Sequence, residues 1–272
     1  MRVAHCPIVS PEDILATAIE RALEQPRRMP LVLGLCGAQG SGKSTVAAAL
    51  AARFAHTVVL SLDDLYRTRR ERAQLARDVH PLLATRGVPG THDVALGLAT
   101  FAQLDAGEAP PLPRFDKATD DRVDPARWAA APGLPQLVIF EGWCVGARPQ
   151  DAAALADPVN ALERDEDPAG VWRRYANAAL AGAYQRLFAR IDLLALLRAP
   201  RWTQVLAWRL EQEKALRRSG AHGAGVMSDD EVRAFVRHYE RLTRHILKTM
   251  PDYADLVLQL DDDRTCIAVR GG

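Results

Sequence analysis

Three short stretches of this 272-residue chain carry side chains able to do chemistry. "GAQGSGKS" (37–44) fits the pattern G-x-x-x-x-G-K-[ST] with Gly37, Gly42, Lys43 and Ser44, and it lies between an apolar run and an alanine-rich helical one. Glycines let the backbone wrap closely around phosphate oxygens, and the amides opening the next helix point at them, where the helix dipole favours negative charge. Gly37, Ala38, Gln39, Gly40, Ser41, Gly42, Lys43, Ser44 and Thr45 are therefore the nucleotide-binding candidates. Lys43 has the reach to touch β- and γ-phosphates and the Ser44 hydroxyl can ligate Mg²⁺, so ATP or GTP binding is expected. Cys36, beside the loop, reads as a small buried apolar residue.

The other two stretches are acids at the ends of apolar runs. "QLVIFEGW" delivers Glu141 to a strand end, where a carboxylate can hold Mg²⁺ directly or through water. "SLDD" places Asp63 and Asp64 side by side, and on a strand the two point to opposite faces. One then faces the phosphates, where transfer to an alcohol needs a carboxylate that orients the hydroxyl and takes its proton. Its neighbour is free to cap the next helix, "DLYRTRRERAQLAR".

These side chains need a scaffold that brings strand ends to one edge. "PLVLGLCG", "TVVLSL" (57–62), "QLVIFEG" (136–142), "IDLLALL" (191–197) and "ADLVLQL" (254–260) read as buried strands, several continuously apolar, as happens where helices cover both faces of a parallel sheet. Helices are expected over "SPEDILATAIERALEQ" (10–25), with Ser10 as N-cap and Pro11 at the first position, over "KSTVAAALAARF", and over 92–105, 170–189, 201–218 and 229–249. Ser228 and Glu231 are spaced as a capping box for the last. The alternation predicts a doubly wound, mainly parallel α/β sheet flanked by helices, in one domain spanning 1–272. Residues 106–135, rich in Pro, Gly and Asp, read as a long functional loop, and 145–170 as irregular.

With 48% apolar residues and a formal charge of +1, the chain can build a core but has no overall basic field for nucleic acid. The basic run "LYRTRRERAQLAR" is interrupted by Glu71 and Asp78 and lacks a stacking platform, so it reads as an exposed helix. Cys6, Cys36, Cys144 and Cys266 form no C-x-x-C pair, which argues against a zinc site or a disulfide framework and for a reducing compartment. The apolar runs are short of a membrane span and the N-terminal residues carry no apolar signal core, so a cytoplasmic protein with no membrane partner is expected. Monomer and small homo-oligomer remain equally open.

"GLCGAQGSGKST", "LSLDDLY", "RGVPGTHD", "LPRFDK", "FEGWCVG", "WRLEQEKALR" and "GVMSDDEV" occur in an order and spacing that resemble the D-glycerate 3-kinases of the plant type and their bacterial and fungal relatives, within the phosphoribulokinase and uridine kinase group of P-loop kinases. The resemblance spans about residues 30–260. It implies transfer of phosphate from ATP, with Mg²⁺, to D-glycerate, giving 3-phosphoglycerate. It places the general base on Asp63, acceptor contacts on Asp64, Tyr66, His92 and Asp93, and the metal on Ser44 and Glu141. Thr91 and Asp93 have a second reading, as the start of the helix that follows.

The resemblance further implies a substrate loop over about 86–135, in which "PRFDK" has Phe115 where the motif often has tyrosine. Arg86, Arg114, Lys117 and Arg122 supply cations for a carboxylate there. A lid over about 200–228 would close Arg209, with Arg217 a second candidate, over the triphosphate. Lys43, Asp63 and Arg209 are thus the catalytic set. Two rivals stand beside this reading: a kinase of the same fold for a nucleoside, a pantothenate-like acid or a sugar, and an ATP-binding switch with no small acceptor.

Overall fold

The computed structural model describes residues 10–218 and 227–271, so Cys6 and residues 219–226 of the anticipated lid lie outside the described residues. Along the chain run α1 (Pro11–Leu23), β1 (Leu31–Gly37), α2 (Lys43–Arg53), β2 (Thr57–Ser61), α3 (Arg69–Asp78), α4 (Val94–Asp105), a hairpin of β3 (Phe115–Asp116) and β4 (Asp121–Arg122), and β5 (Leu137–Gly142). There follow α5 (Ala161–Glu166), α6 (Val171–Ala179), α7 (Gln185–Phe188), β6 (Leu193–Arg198), α8 (Trp202–Arg218), α9 (Asp229–Thr249), β7 (Leu256–Leu260) and β8 (Cys266–Gly271).

Six strands form one sheet in the order β2-β5-β1-β6-β7-β8, parallel throughout except for β8 against β7. The run "LVLGLCG" becomes β1 at the centre, paired on one side with β5 and on the other with β6. All seven of its residues are buried, because helices cover both faces. Strand alternation sends Val32 and Cys36 into a core shared with Phe140, Tyr184 and Phe188, and Leu31, Leu33 and Leu35 into a second one with Leu15, Ile19 and Leu50. Each such buried leucine contributes about 1.5–3 kcal/mol. Chain direction splits at β1, with β5 on one side and β6 on the other, so a crevice opens at the carboxyl ends of these strands.

The anticipated helices form with the expected caps. Ser10 accepts the Asp13 amide at 3.2 Å to start α1, and Ser228 with Glu231 forms the capping box of α9. The helix expected over 170–189 is instead interrupted. Gly182 leaves helical geometry at φ −96°, ψ −107°, a π-type turn spans Leu180–Tyr184, and Gln185 donates its side-chain amide to the Leu180 carbonyl at 3.0 Å. The loop expected over 106–135 contains the β3–β4 hairpin, and the irregular 145–170 contains α5. The edge strand β8 carries no sequence expectation at all.

Candidate active site

At the carboxyl end of β1 the chain turns through Ala38–Gly42 into α2. Gly42 caps α2 at φ 86° and Gly40 sits at φ 78°, both in the left-handed region where a side chain is strained. Gly40 has a second constraint, since a Cβ there would lie 2.6 Å from the Trp208 Cβ of α8. Its carbonyl accepts the Arg264 guanidinium at 2.6 Å, and that guanidinium lies over the Trp208 ring. The cradle is thus fixed by α8 and by the β7–β8 turn, through Trp208 and Arg264, which sequence reasoning missed. The Ser41 hydroxyl of the loop is buried with no partner, a donor of the kind a bound triphosphate satisfies, and the Gln39 Oε1, an acceptor, is likewise buried and unpartnered.

Glu141 is the penultimate residue of β5, the strand next to β1, and Ser44 donates its hydroxyl to Glu141 Oε1 at 3.3 Å. The other oxygen, Oε2, is buried and unpartnered. A hydroxyl and a carboxylate with one oxygen to spare suit Mg²⁺, which uses one or two protein ligands together with phosphate oxygens and water. Among the described residues no cluster of three His, Cys, Asp or Glu competes as a metal site. Cys36 is inert beside this pair: its thiol donates to the Trp143 carbonyl at 3.4 Å, and burial pushes its pKa up to about 12.

The two acids of "SLDD" do not lie on a strand. β2 ends at Ser61 and Leu62–Leu65 form a 3₁₀ turn, so the carboxylates separate around a tight helix rather than across a pleat. Asp63 Oδ1 accepts the Tyr66 hydroxyl at 2.8 Å, and its Oδ2 accepts the Lys117 ammonium at 2.6 Å. Burial disfavours the Asp63 charge, but Lys117, Lys43 and the Tyr66 hydrogen bond outweigh it and hold the carboxyl well below the usual range.

Asp64 is not a helix cap, because α3 starts later with its own capping box, Thr68 and Glu71. Asp64 accepts instead from the Phe115 amide at 3.0 Å and from Arg114 at 2.7 Å. Burial raises its pKa, with those two donors opposing. The hairpin of "PRFDK" thus lies over the turn of "LDDL", one cation on each acid.

The remaining candidates surround this pair. Tyr66 stacks on His92 with ring centroids 4.5 Å apart and meets Phe115 edge-on at 5.2 Å. His92 is buried, takes the Tyr184 hydroxyl on Nδ1 at 2.6 Å, and leaves Nε2 without a partner. Burial lowers its pKa to about 3, so the ring is neutral. Asp93 caps α4 through the Leu96 amide at 3.0 Å and pairs with Arg122 at 3.2 Å, the helix-starting alternative read from sequence. Thr91 braces the preceding turn by donating to the Val88 carbonyl at 2.7 Å.

Arg86 pairs with Asp120, which also holds Arg72 at 2.7 Å, and both guanidiniums lie over the Phe115 ring. Arg72 is fully buried, so α3 is not the wholly exposed helix expected. Tyr239 of α9 and Trp143 hold the "RGVPG" turn, donating at 3.0 Å to the carbonyls of Arg86 and Gly87. Neither was singled out, since nothing local to either residue marks its distant partner.

On α8, Arg209 pairs with buried Glu213 at 2.6 Å, and its charge acts on Tyr239. Arg217 is committed to the Met227 carbonyl at 2.9 Å and to Asp229, tying α8 to α9. The glycine-rich loop, the Ser44–Glu141 pair, the neutral histidine and the paired acids thus meet at the C-terminal edge of the sheet.

Comparison with known proteins follows the same lines. A family model described as an AAA domain matches residues 32–100, from β1 through the cradle into α4. An uncharacterized kinase, mug58, of Schizosaccharomyces pombe is 37% identical over 84% of this chain and 86% of its own length. The chloroplastic D-glycerate 3-kinase of Arabidopsis thaliana is 31% identical over 88% of this chain, which spans 54% of that longer protein. Among solved structures, a D-glycerate 3-kinase from Cryptococcus neoformans superposes with a TM-score of 0.78 at 23% identity, covering 96% of this chain and 99% of that one.

Proposed function

The chain belongs to the P-loop kinase family that includes the D-glycerate 3-kinases and their fungal relatives, and on that footing we propose that it phosphorylates D-glycerate to 3-phosphoglycerate with ATP and Mg²⁺. The observation that carries the acceptor side is the "LDDL" turn: a fixed carboxylate beside a neutral histidine, with Lys117 and Arg114 at hydrogen-bonding distance from its acids. A small hydroxy acid needs both a proton acceptor and cations for its carboxylate, and this site offers both.

In this reading Lys43 and the loop amides hold the triphosphate, while Ser44 and Glu141 hold the metal. Mg²⁺, when bound, neutralises charge on the phosphates. Asp63, oriented by Tyr66, receives the hydroxyl proton as the oxygen–phosphorus bond forms. Arg209 closes from α8 onto the transferred group, and Arg86, Arg114, Lys117 and Arg122 frame the acceptor. His92, neutral, offers its free Nε2 to an acceptor hydroxyl, and Asp93 fixes that segment through its cap.

The test is ADP release across a panel of D-glycerate, pantothenate, a nucleoside, a hexose and no acceptor. Stimulation by D-glycerate above the others is expected, with Asp63→Asn lowering kcat by about 10²–10⁴-fold while nucleotide binding survives. A panel in which glycerate does nothing overturns the acceptor, and full activity of Asp63→Asn overturns the base.

A further inference from the structure

We infer that Lys117 makes phosphoryl transfer conditional on an anionic acceptor, by pairing with Asp63 when the site is empty and leaving it for the acceptor's own carboxylate. The inference rests on Asp63 being the base. Both Asp63 oxygens already have donors, Tyr66 on Oδ1 at 2.8 Å and Lys117 on Oδ2 at 2.6 Å. A carboxylate in contact with an ammonium is a poor proton acceptor, because the ion pair favours the charged form that accepting a proton would destroy.

The groups facing Asp63 are Lys43 from α2, Asp64 and Tyr66 from its own turn, the neutral His92 before α4, Cys144 after β5, Tyr239 from α9 and Lys117 from the hairpin, and Asp64 is already held by Arg114. Lys43 is answered by phosphate once nucleotide binds, and the tyrosines, whose pKa values burial raises, stay neutral. Lys117 is then the cation that decides how basic Asp63 is.

The surroundings single out Lys117 as the cation able to leave. Arg114 is bound to Asp64, Arg122 to Asp93 and the Tyr66 carbonyl, and Arg86 and Arg72 share Asp120. The Asp64 bonds to Arg114 and to the Phe115 amide anchor the base of the hairpin. Lys117 stands in its turn with the side chain 60% exposed and Asp63 as its one ion-pair partner among the described residues. Its flexible stem can swing without moving β3 or β4. Exchanging Asp63 for an acceptor carboxylate replaces one ion pair with another, whereas water or a neutral alcohol offers no such exchange.

With Lys117 on the acceptor, the hydroxyl proton passes to Asp63 Oδ2 as the acceptor oxygen bonds to the γ-phosphorus. The bond from that phosphorus to the β–γ bridging oxygen breaks, and its electron pair leaves with ADP. Lys117 keeps its proton throughout. Discrimination against neutral alcohols and against idle hydrolysis then follows from one side chain.

The experiment compares wild type with Lys117→Met in three assays of ADP release: no acceptor, glycerol, and D-glycerate. Glycerol keeps the vicinal hydroxyls and lacks the carboxylate. The variant is expected to lose about 100-fold in kcat/KM for glycerate while its idle and glycerol-dependent rates rise about tenfold. If glycerate turnover falls but the other two rates stay at wild-type level or below, Lys117 merely binds carboxylate and the inference is overturned. If wild type shows no response to glycerate, the proposed acceptor fails separately, and the idle rate alone decides for or against the role of Lys117. A nucleotide-dependent thermal shift, expected to be unchanged in the variant, reports that the site is folded.

Discussion

His92 shows how burial sets chemistry at single residues. Enclosed by Tyr66 and Tyr184, it stays neutral because no compensating anion touches it, and its pKa falls to about 3. The native state therefore binds fewer protons here than the unfolded chain, whose histidines titrate near 6.5, and stability falls as pH drops from 6.5 toward 3. His92→Gln, which can still bond Tyr184, is expected to remove up to one proton from that slope, about 1.4 kcal/mol per pH unit. Denaturant unfolding between pH 7 and 5 measures it, and an unchanged slope would contradict the burial. Lys43, Ser44, Asp63 and Glu141 were legible in sequence because each follows a run whose end must lie at the sheet edge. Asp120, Tyr184 and Arg264 were not, since each acts on a residue 34–224 positions away with no local pattern to announce it.

Between residue and fold stand the elements, and the β3–β4 hairpin is the one that matters to the acceptor. Two strands of two residues have little stability of their own. What fixes the hairpin is Asp64, through the Phe115 amide and Arg114, together with the guanidiniums around Phe115. Asp64→Ala removes a charge-assisted bond worth about 1.5–3 kcal/mol, and the Phe115 amide should exchange roughly 10–100-fold faster while amides of β1 keep their protection. Hydrogen exchange by mass spectrometry or NMR reads both. From sequence the segment looked like bare loop because its order comes from contacts 50 residues away rather than from periodicity. The expected helix over 170–189 is interrupted where the backbone leaves helical geometry at Gly182, a break whose one local signal is the glycine itself.

For the molecule as a whole, nucleotide binding should be visible as stability. A ligand at 100 times its Kd adds about 2.7 kcal/mol, which for a chain of this size raises Tm by about 5–10 °C. Gly40→Ala, which meets both a left-handed backbone and the Trp208 side chain, is expected to abolish that shift, as differential scanning fluorimetry with MgATP would show. The sheet was readable because five of its strands are plain apolar runs, whereas their spatial order was not, since nothing in β1 names β5 and β6 as its neighbours. That order has a consequence for biosynthesis. The central strand leaves the ribosome first, yet β5 begins 100 residues after β1 ends, at Leu137, and β6 only at Leu193. At about 5–20 residues per second, seven consecutive residues destined for burial wait roughly 5–20 s for a partner, an interval in which the unpaired strand of the nascent chain is open to aggregation.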